Sequence, residues 1–425
     1  MTNKRAIFII LLASAIIHFA FFAHPNQTVF DEVHFGKFVN GYYTNEYFFD
    51  IHPPLGKLII AGFASFFDFE PAYSFGQIGQ EYPDKAYMIL RFLPSLAGTL
   101  LPIIIFLLAR QLGLSTLAAL GAGLFTTLDN ALLVQSRYIL LDAFLLDFGF
   151  LALYFFFRYR QLGGKRNLLA MAVFGALAAS VKWTGFTFLA LPFIIELYDR
   201  FKNKDFKNLR PKLIYFFAIP FLVYFFIFWI HFSLLSKPGP GDAFMTPEFR
   251  NQNIIQKFSE LNLEMYRSNQ RLTADHPYGS KWYTWPLMIR PIYYWVQNNA
   301  RIYFLGNPFI WWASTVAMLL LIFDMIFKKD SRKELPLILL GGIVLNLLPF
   351  IGIKRVMFLY HYMTAYIFAI LILAYLIDQA QRPNRKIYTL LAVAALFFIF
   401  FAPLSYGTAL TPRAYENRVW LETWR

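Results

Sequence analysis

The chain has 425 residues, of which 58% are hydrophobic and 15% charged, with 50 Phe and a formal net charge of +14. This composition excludes a string of soluble domains and makes the bilayer the relevant solvent; with no soluble basic domain to carry the charge, it also excludes nucleic acid as the partner. The absence of Cys excludes a disulfide framework and any Cys-based zinc or redox centre.

A helix needs about 20 mostly apolar residues to cross the hydrocarbon core, with some latitude for tilt. In chain order, about eleven segments meet this rule: residues 6–23, 86–109, 115–134, 138–157, 168–181, 184–198, 213–235, 308–327, 336–352, 357–377 and 387–405. Lys4 and Arg5 precede the first, but its apolar run is long for a signal core and no small-x-small site follows, so it reads as a retained span. Residues 58–67 are apolar but too short to cross. Pro53 and Pro54 suit a helix start, so this stretch reads as an interfacial helix. The expected fold is an all-α polytopic membrane protein, one domain over residues 1–425, with interfacial helices in the first long loop.

Cations recur in four short loops. Arg158, Arg160, Lys165 and Arg166 lie in the first; Arg200, Lys202, Lys204, Lys207, Arg210 and Lys212 in the second; Lys328, Lys329, Arg332 and Lys333 in the third; Arg382, Arg385 and Lys386 in the fourth. All fall on one side, which the positive-inside rule makes cytoplasmic. The N-terminus is then expected inside and the C-terminus outside. Two long loops, about 24–85 and 236–307, face the periplasm or exterior of a cell inner or plasma membrane.

Against this trend, Arg91, Arg137, Lys182 and the pair Lys354–Arg355 sit at the outer ends of spans. A lone cation there can snorkel to headgroups, but five on one face suit a membrane-embedded phosphate. On the same face the first loop opens with Asp31-Glu32-Val33-His34, and Asp50 and His52 follow. A carboxylate beside cations at the membrane surface is the layout needed to deprotonate a hydroxyl near a phosphate leaving group. Glu32, His34, Asp50 and His52 could also ligate a divalent metal, yet no metal-type spacing is present. His276 and the Trp282-Tyr283-Thr284-Trp285 run serve either as an aromatic belt or as a platform for a sugar or acceptor. Asp129, Asp142 and Asp147 are intramembrane acids, read either as paired structural groups or as a transport path.

These residues resemble a known family, the dolichyl-phosphate-mannose protein O-mannosyltransferases and their bacterial polyprenyl-phosphate-dependent relatives of the GT-C fold. The resemblance is carried by the stretches 30–38 and 49–57, by Arg91-Phe92-Leu93-Pro94, by Asp129-Asn130 with Gln135-Ser136-Arg137, and by Ser180-Val181-Lys182-Trp183. It continues through His276-Pro277-Tyr278, residues 282–287, Gly306-Asn307-Pro308 with Trp311-Trp312, and Tyr360-His361-Tyr362. The resemblance implies an inverting transfer from a polyprenyl-phosphate-linked sugar to Ser/Thr hydroxyls of a secreted or membrane protein. It makes Asp31 the general base and Glu32 an acceptor or sugar ligand, and it places Arg91, Arg137 and Lys182 around the donor phosphate. His34, His52, Lys354, Arg355 and His361 are expected near the site. The second loop is too short for the soluble β-trefoil (MIR) domain of eukaryotic members, so transferases acting on lipid A or another glycolipid stay open as an alternative, and a lipid flippase or transporter as a different class. No cofactor is required by this reading.

Overall fold

The computed structural model describes residues 1–204, 206, 209–271, 276–327 and 334–425. Lys207, Lys328, Lys329, Arg332 and Lys333, used above to orient the chain, lie outside the described residues. Helices occupy all eleven expected positions. They are α1 (Asn3–Phe19), α4 (Tyr87–Gln111), the pair α5 (Thr116–Thr127) and α6 (Asn130–Ser136), α7 (Asp142–Leu162), α8 (Lys165–Val181), α9 (Thr187–Asn203), α10 (Ile219–Leu234), α12 (Pro308–Phe327), α13 (Glu334–Leu347), α14 (Met363–Asp378) and α15 (Pro383–Tyr406). Two further helices, α2 (Glu32–Thr44) and α3 (Leu55–Ala64), fill the first long loop; α11 (Ile254–Arg271) and the antiparallel hairpin β1 (Ile292–Gln297)–β2 (Ala300–Phe304) fill the second.

Six of these, counting the short turns that extend α10, α13 and α14, are long and apolar enough to cross a bilayer unaided, and the α5–α6 pair, bent by 61°, makes a seventh. The other four need the bundle around them. Helices α1, α8 and α9 have 17 residues each, the lower limit for spanning. Helix α7, with 21, carries Asp142, Asp147, Arg158 and Arg160. At the α5–α6 break Asp129 satisfies the backbone that the bend frees: it accepts from the Leu132 N–H at 2.9 Å, the Asn307 N–H at 2.9 Å and the Tyr366 hydroxyl at 2.7 Å. Its role is structural.

Helix α14 forms the centre of the bundle, buried without interruption from Met363 to Ala374 and packed against α12, α13 and α5. Helices α10, α12 and α15 instead turn Phe221, Leu222, Phe226, Leu319, Phe323, Leu396 and Ile399 outward. In water such faces would be a liability; in lipid they are the expected surface. The site lies where the loops holding α2, α3, α11 and the hairpin meet the ends of α7, α8 and α14.

Candidate active site

The two acidic residues that open α2 have opposite surroundings. Phe30, just before them, takes a left-handed backbone (φ 47°), which a bulky side chain adopts only when held there. The hairpin holds it: the Phe30 N–H donates to the Tyr294 carbonyl at 3.0 Å, and the two rings stack with centroids 3.8 Å apart. The turn buries Glu32 completely and leaves Asp31 half-buried at the N-cap, its carboxylate making no cap hydrogen bond.

Glu32 accepts from Arg91 Nε and Nη2 at 2.7 Å each, and from the Val29 N–H, the Ile139 N–H and the Tyr82 hydroxyl. Arg91 spends its other donors on the Pro25 and Gln27 carbonyls, both at 2.8 Å. Both side chains are sealed from solvent. Arg137 donates to the His18, Ala20 and Phe21 carbonyls, closing the C-terminal end of α1. The resemblance implies Glu32 at the acceptor or sugar, and Arg91 and Arg137 at the donor phosphate; in the structure the Glu32 carboxylate and most of the two guanidinium forks bond the scaffold, Arg137 Nε has no partner among the described residues, and none of the three lines the cavity described next.

That cavity, of about 280 Å³, is lined by His52, Asp142, Lys182, Arg355, Tyr360 and His361 among others. Each is aimed by a local device. Lys57 pairs with Asp50 and also donates to the His52 and Pro53 carbonyls, at 3.0 and 3.2 Å, while Asp50 accepts from the His52 N–H at 3.2 Å. This clamp fixes the loop that presents His52. Lys182 sits in extended conformation between α8 and a single turn, Trp183–Phe186, that folds back on α8; a Cβ on Gly185 would lie 2.3 Å from the Ala178 carbonyl carbon, so only glycine permits the fold-back. Lys182 Nζ then lies 2.8 Å from both Asp142 oxygens. Asp142 also accepts from Gln135 Nε2 at 2.7 Å, and Gln135 Oε1 accepts from the Tyr294 hydroxyl. A continuous chain thus joins Tyr294, which holds the Asp31 turn, to the cavity lysine. Arg355 Nη2 is 3.2 Å from His361 Nε2 and makes no other hydrogen bond among the described residues.

Asp31 is not itself a lining residue of the cavity; its carboxyl lies within electrostatic reach of His34, Lys182, Asp142 and Asp50. Burial lifts its carboxyl to about 6, with His34 and Lys182 pulling the other way. Of the four neighbouring acids, Glu32 pairs with Arg91, Asp50 with Lys57 and Asp142 with Lys182; the Asp31 carboxylate alone, among the described residues, has neither hydrogen bond nor ion pair. Burial, reinforced by Lys182 and Arg355, holds the His52 imidazole well below its usual range, so it is neutral.

His34 is exposed on α2. His276, Trp282 and Lys354 line a separate, more open groove of about 660 Å³ that shares Phe350, Ile353 and Arg355 with the cavity. Among the described residues no three His, Asp or Glu side chains gather as metal ligands do. Asp147 is buried in α7 with Oδ1 unpartnered, and nothing in the structure accounts for it. The sequence reading missed Gln135, Tyr294, Tyr360 and Lys57 as parts of the site; Lys57 carried a signal, a lysine four residues after Pro53 at the start of an otherwise apolar helix.

Residues 8–236 match the family model of dolichyl-phosphate-mannose-protein mannosyltransferase, and residues 254–424 match the C-terminal four-span region of protein-O-mannosyltransferase. The chain belongs to this family. It is thus a multi-pass membrane glycosyltransferase of the GT-C fold. Dolichyl-phosphate-mannose–protein mannosyltransferase 1 of Saccharomyces cerevisiae is 23% identical over an alignment of 683 residues that takes in all of this chain and 84% of that protein. Protein O-mannosyltransferase 1 of Drosophila pseudoobscura pseudoobscura is 36% identical over 269 residues, 60% of this chain, which spans only 29% of that relative. The S. cerevisiae Pmt1–Pmt2 complex bound to its sugar donor superposes with a TM-score of 0.94 at 22% identity, over 100% of this chain and 93% of that one; a likeness at that identity speaks for the fold.

Proposed function

We propose that the enzyme transfers a mannosyl residue from a polyprenyl-phosphate donor to Ser or Thr hydroxyls of secreted or membrane proteins at the outer membrane face, with inversion at C1. Family membership supports the sugar and the acceptor class, and the cation-rich short loops support the side. The chemistry rests on one observation: Asp31 is the unpaired carboxylate of its cluster and lies within electrostatic reach of Lys182, a cation of the cavity wall.

A carboxylate poised near 6 is ionised at neutral pH yet basic enough to accept a proton in the transition state. Asp31 takes the proton of the acceptor hydroxyl as its oxygen attacks C1. The C1–O bond breaks and its electron pair leaves with the polyprenyl phosphate. Phosphate is a good leaving group, so the remaining burden is the charge that grows on it. Lys182 spends two contacts on Asp142 and keeps a third proton; Arg355 keeps most of its fork and is held by His361, whose ring nitrogens face Arg355 and Phe358; His52 supplies a hydrogen bond. The open groove of His276, Trp282 and Lys354 gives an acceptor chain an approach to the same wall.

The test is a detergent assay of transfer from radiolabelled polyprenyl-phosphate mannose to Ser/Thr-rich peptides, wild type beside Asp31→Asn. Wild-type transfer is expected to fall by two to four orders of magnitude in the variant, with donor binding retained. Wild-type turnover in a folded Asp31→Asn protein removes Asp31 as the base. A wild type that binds donor but labels no peptide replaces the protein acceptor with a glycolipid.

A further inference from the structure

The cavity has two chemically distinct sides. Its charged and titratable members come from the His52 loop, α7, the end of α8 and the segment around Arg355 and His361, whereas α11 contributes Tyr266, Asn269 and Gln270, three neutral hydrogen-bonding groups. These stand at i, i+3 and i+4, one face of the helix. The charged neighbours in the same turns, Arg267 and Arg271, are not among the lining residues, and Arg271 pairs with Glu264. Helix α11 is thus amphipathic toward the cavity in a particular sense: it turns uncharged polar groups inward.

A glycosyl phosphate has the same division. Its charge is confined to the phosphate, while the pyranose offers neutral hydroxyls, each both donor and acceptor, and apolar C–H faces. We infer that the last two turns of α11 form the sugar-reading wall of the cavity, with Gln270 as the specificity-determining residue; this rests on the donor reading above and deepens it. Asn269 donates Nδ2 to the Ile51 and Met265 carbonyls, at 3.4 and 2.8 Å, which ties the turn to the loop carrying His52. Gln270 makes no side-chain hydrogen bond among the described residues although it is half-buried. Its carboxamide, with two donors and an acceptor oxygen, can serve two vicinal hydroxyls at once, and therefore distinguishes epimers in which one of them is inverted. The Tyr266 ring, 54% exposed, offers a face for stacking.

The experiment measures the affinity of the full-length protein in detergent for polyprenyl-phosphate mannose and for sugar-free polyprenyl phosphate, in wild type, Gln270→Ala and the near-isosteric Gln270→Met. Wild type is expected to prefer the sugar-bearing lipid, and both variants to lose about three- to tenfold of that preference while binding polyprenyl phosphate as before. Transfer from polyprenyl-phosphate mannose against the glucose epimer should lose discrimination in the same variants. An unchanged preference in the variants overturns the assignment, as does an equal loss for both lipids or a wild type indifferent to the sugar. Binding is read without turnover, so a wild type that binds donor yet labels no peptide tells against the transfer reading and leaves this one standing.

Discussion

The ring of Phe30 lies flat on that of Tyr294, 3.8 Å between centroids, and the Phe30 N–H donates to the Tyr294 carbonyl at 3.0 Å. Together these hold a bulky residue at positive φ, a conformation that costs of order 1–3 kcal/mol when unsupported. The strain is placed one residue before Asp31, so the hairpin sets where that carboxylate points. Removing the ring in Tyr294→Leu is expected to lower turnover about two- to tenfold while leaving donor affinity unchanged, because an aromatic stack is worth about 0.5–1.5 kcal/mol beyond its area. Tyr294→Phe keeps the stack and loses only the hydroxyl to Gln135, so it should retain most of that turnover. Steady-state rates beside donor binding check both. Equal rates for Leu and Phe would detach the stack from catalysis.

The pH dependence has a defined sign. With the Asp31 carboxyl lifted to about 6 from its ordinary 3.8, activity should fall as pH drops through about 6 and level off above it. Stability runs the other way. Between about pH 4 and 6 the folded protein holds a proton that the unfolded chain has released, so this group's contribution weakens as pH rises through that window. Asp31→Asn should therefore melt at or above the wild-type temperature at neutral pH while being inactive. A rate–pH profile and thermal melts at pH 5 and pH 7.5 measure the two effects separately.

What the sequence reveals here is position along the chain and depth in the bilayer; what it hides is partnership. Asp31 and His52 could be picked out because they belong to acid–histidine pairs in the first long loop, and Lys182 and Arg355 because each is a cation where a loop meets a span. Arg91 and Arg137 have the same signature, yet the partner that commits Arg91 is 59 residues away, at Glu32, and Arg137 caps a helix more than 100 residues before it. No local pattern distinguishes a cation facing a ligand from one facing a carbonyl. The same holds for Gln135 and Tyr294, 159 residues apart. The shorter helices α8 and α9 could be located by their apolar runs, but their bundle-dependent crossing follows from packing. The inward polar face of α11 emerges only once the helix and its neighbours are known.

Breaking a buried ion pair from one side strands the other charge and costs about 3–5 kcal/mol. Arg91→Ala and Glu32→Ala are each expected to lower the melting temperature sharply and cut yield, since both partners are sealed from solvent. A donor or acceptor ligand would instead change affinity with the melt unmoved. The double variant Glu32→Gln/Arg91→Met removes both charges and should regain part of the lost stability. Melting curves in detergent, with donor affinity measured on whatever folds, separate a scaffold role from a binding one.

Lys182 has two partners in prospect, Asp142 in the structure and the phosphate in the proposed reaction, and they can be separated. Lys182→Ala loses a charged hydrogen bond to phosphate, worth about 1.5–3 kcal/mol or 10- to 150-fold in donor affinity, but also leaves Asp142 buried beside Gln135 without its counter-ion. Stability should fall with affinity in that variant. Lys182→Met/Asp142→Asn removes the stranded charge, and the carboxamide oxygen that replaces the carboxylate can still accept from Gln135. If Lys182 serves the phosphate, the double variant regains the melting temperature and keeps the affinity loss for polyprenyl phosphate. If it serves only Asp142, stability and affinity recover together. Lys182→Arg gives the intermediate case, because a guanidinium can hold both oxygens of Asp142 but places its remaining donors differently. Donor binding by calorimetry, read beside the melts for these three variants, decides between the two roles.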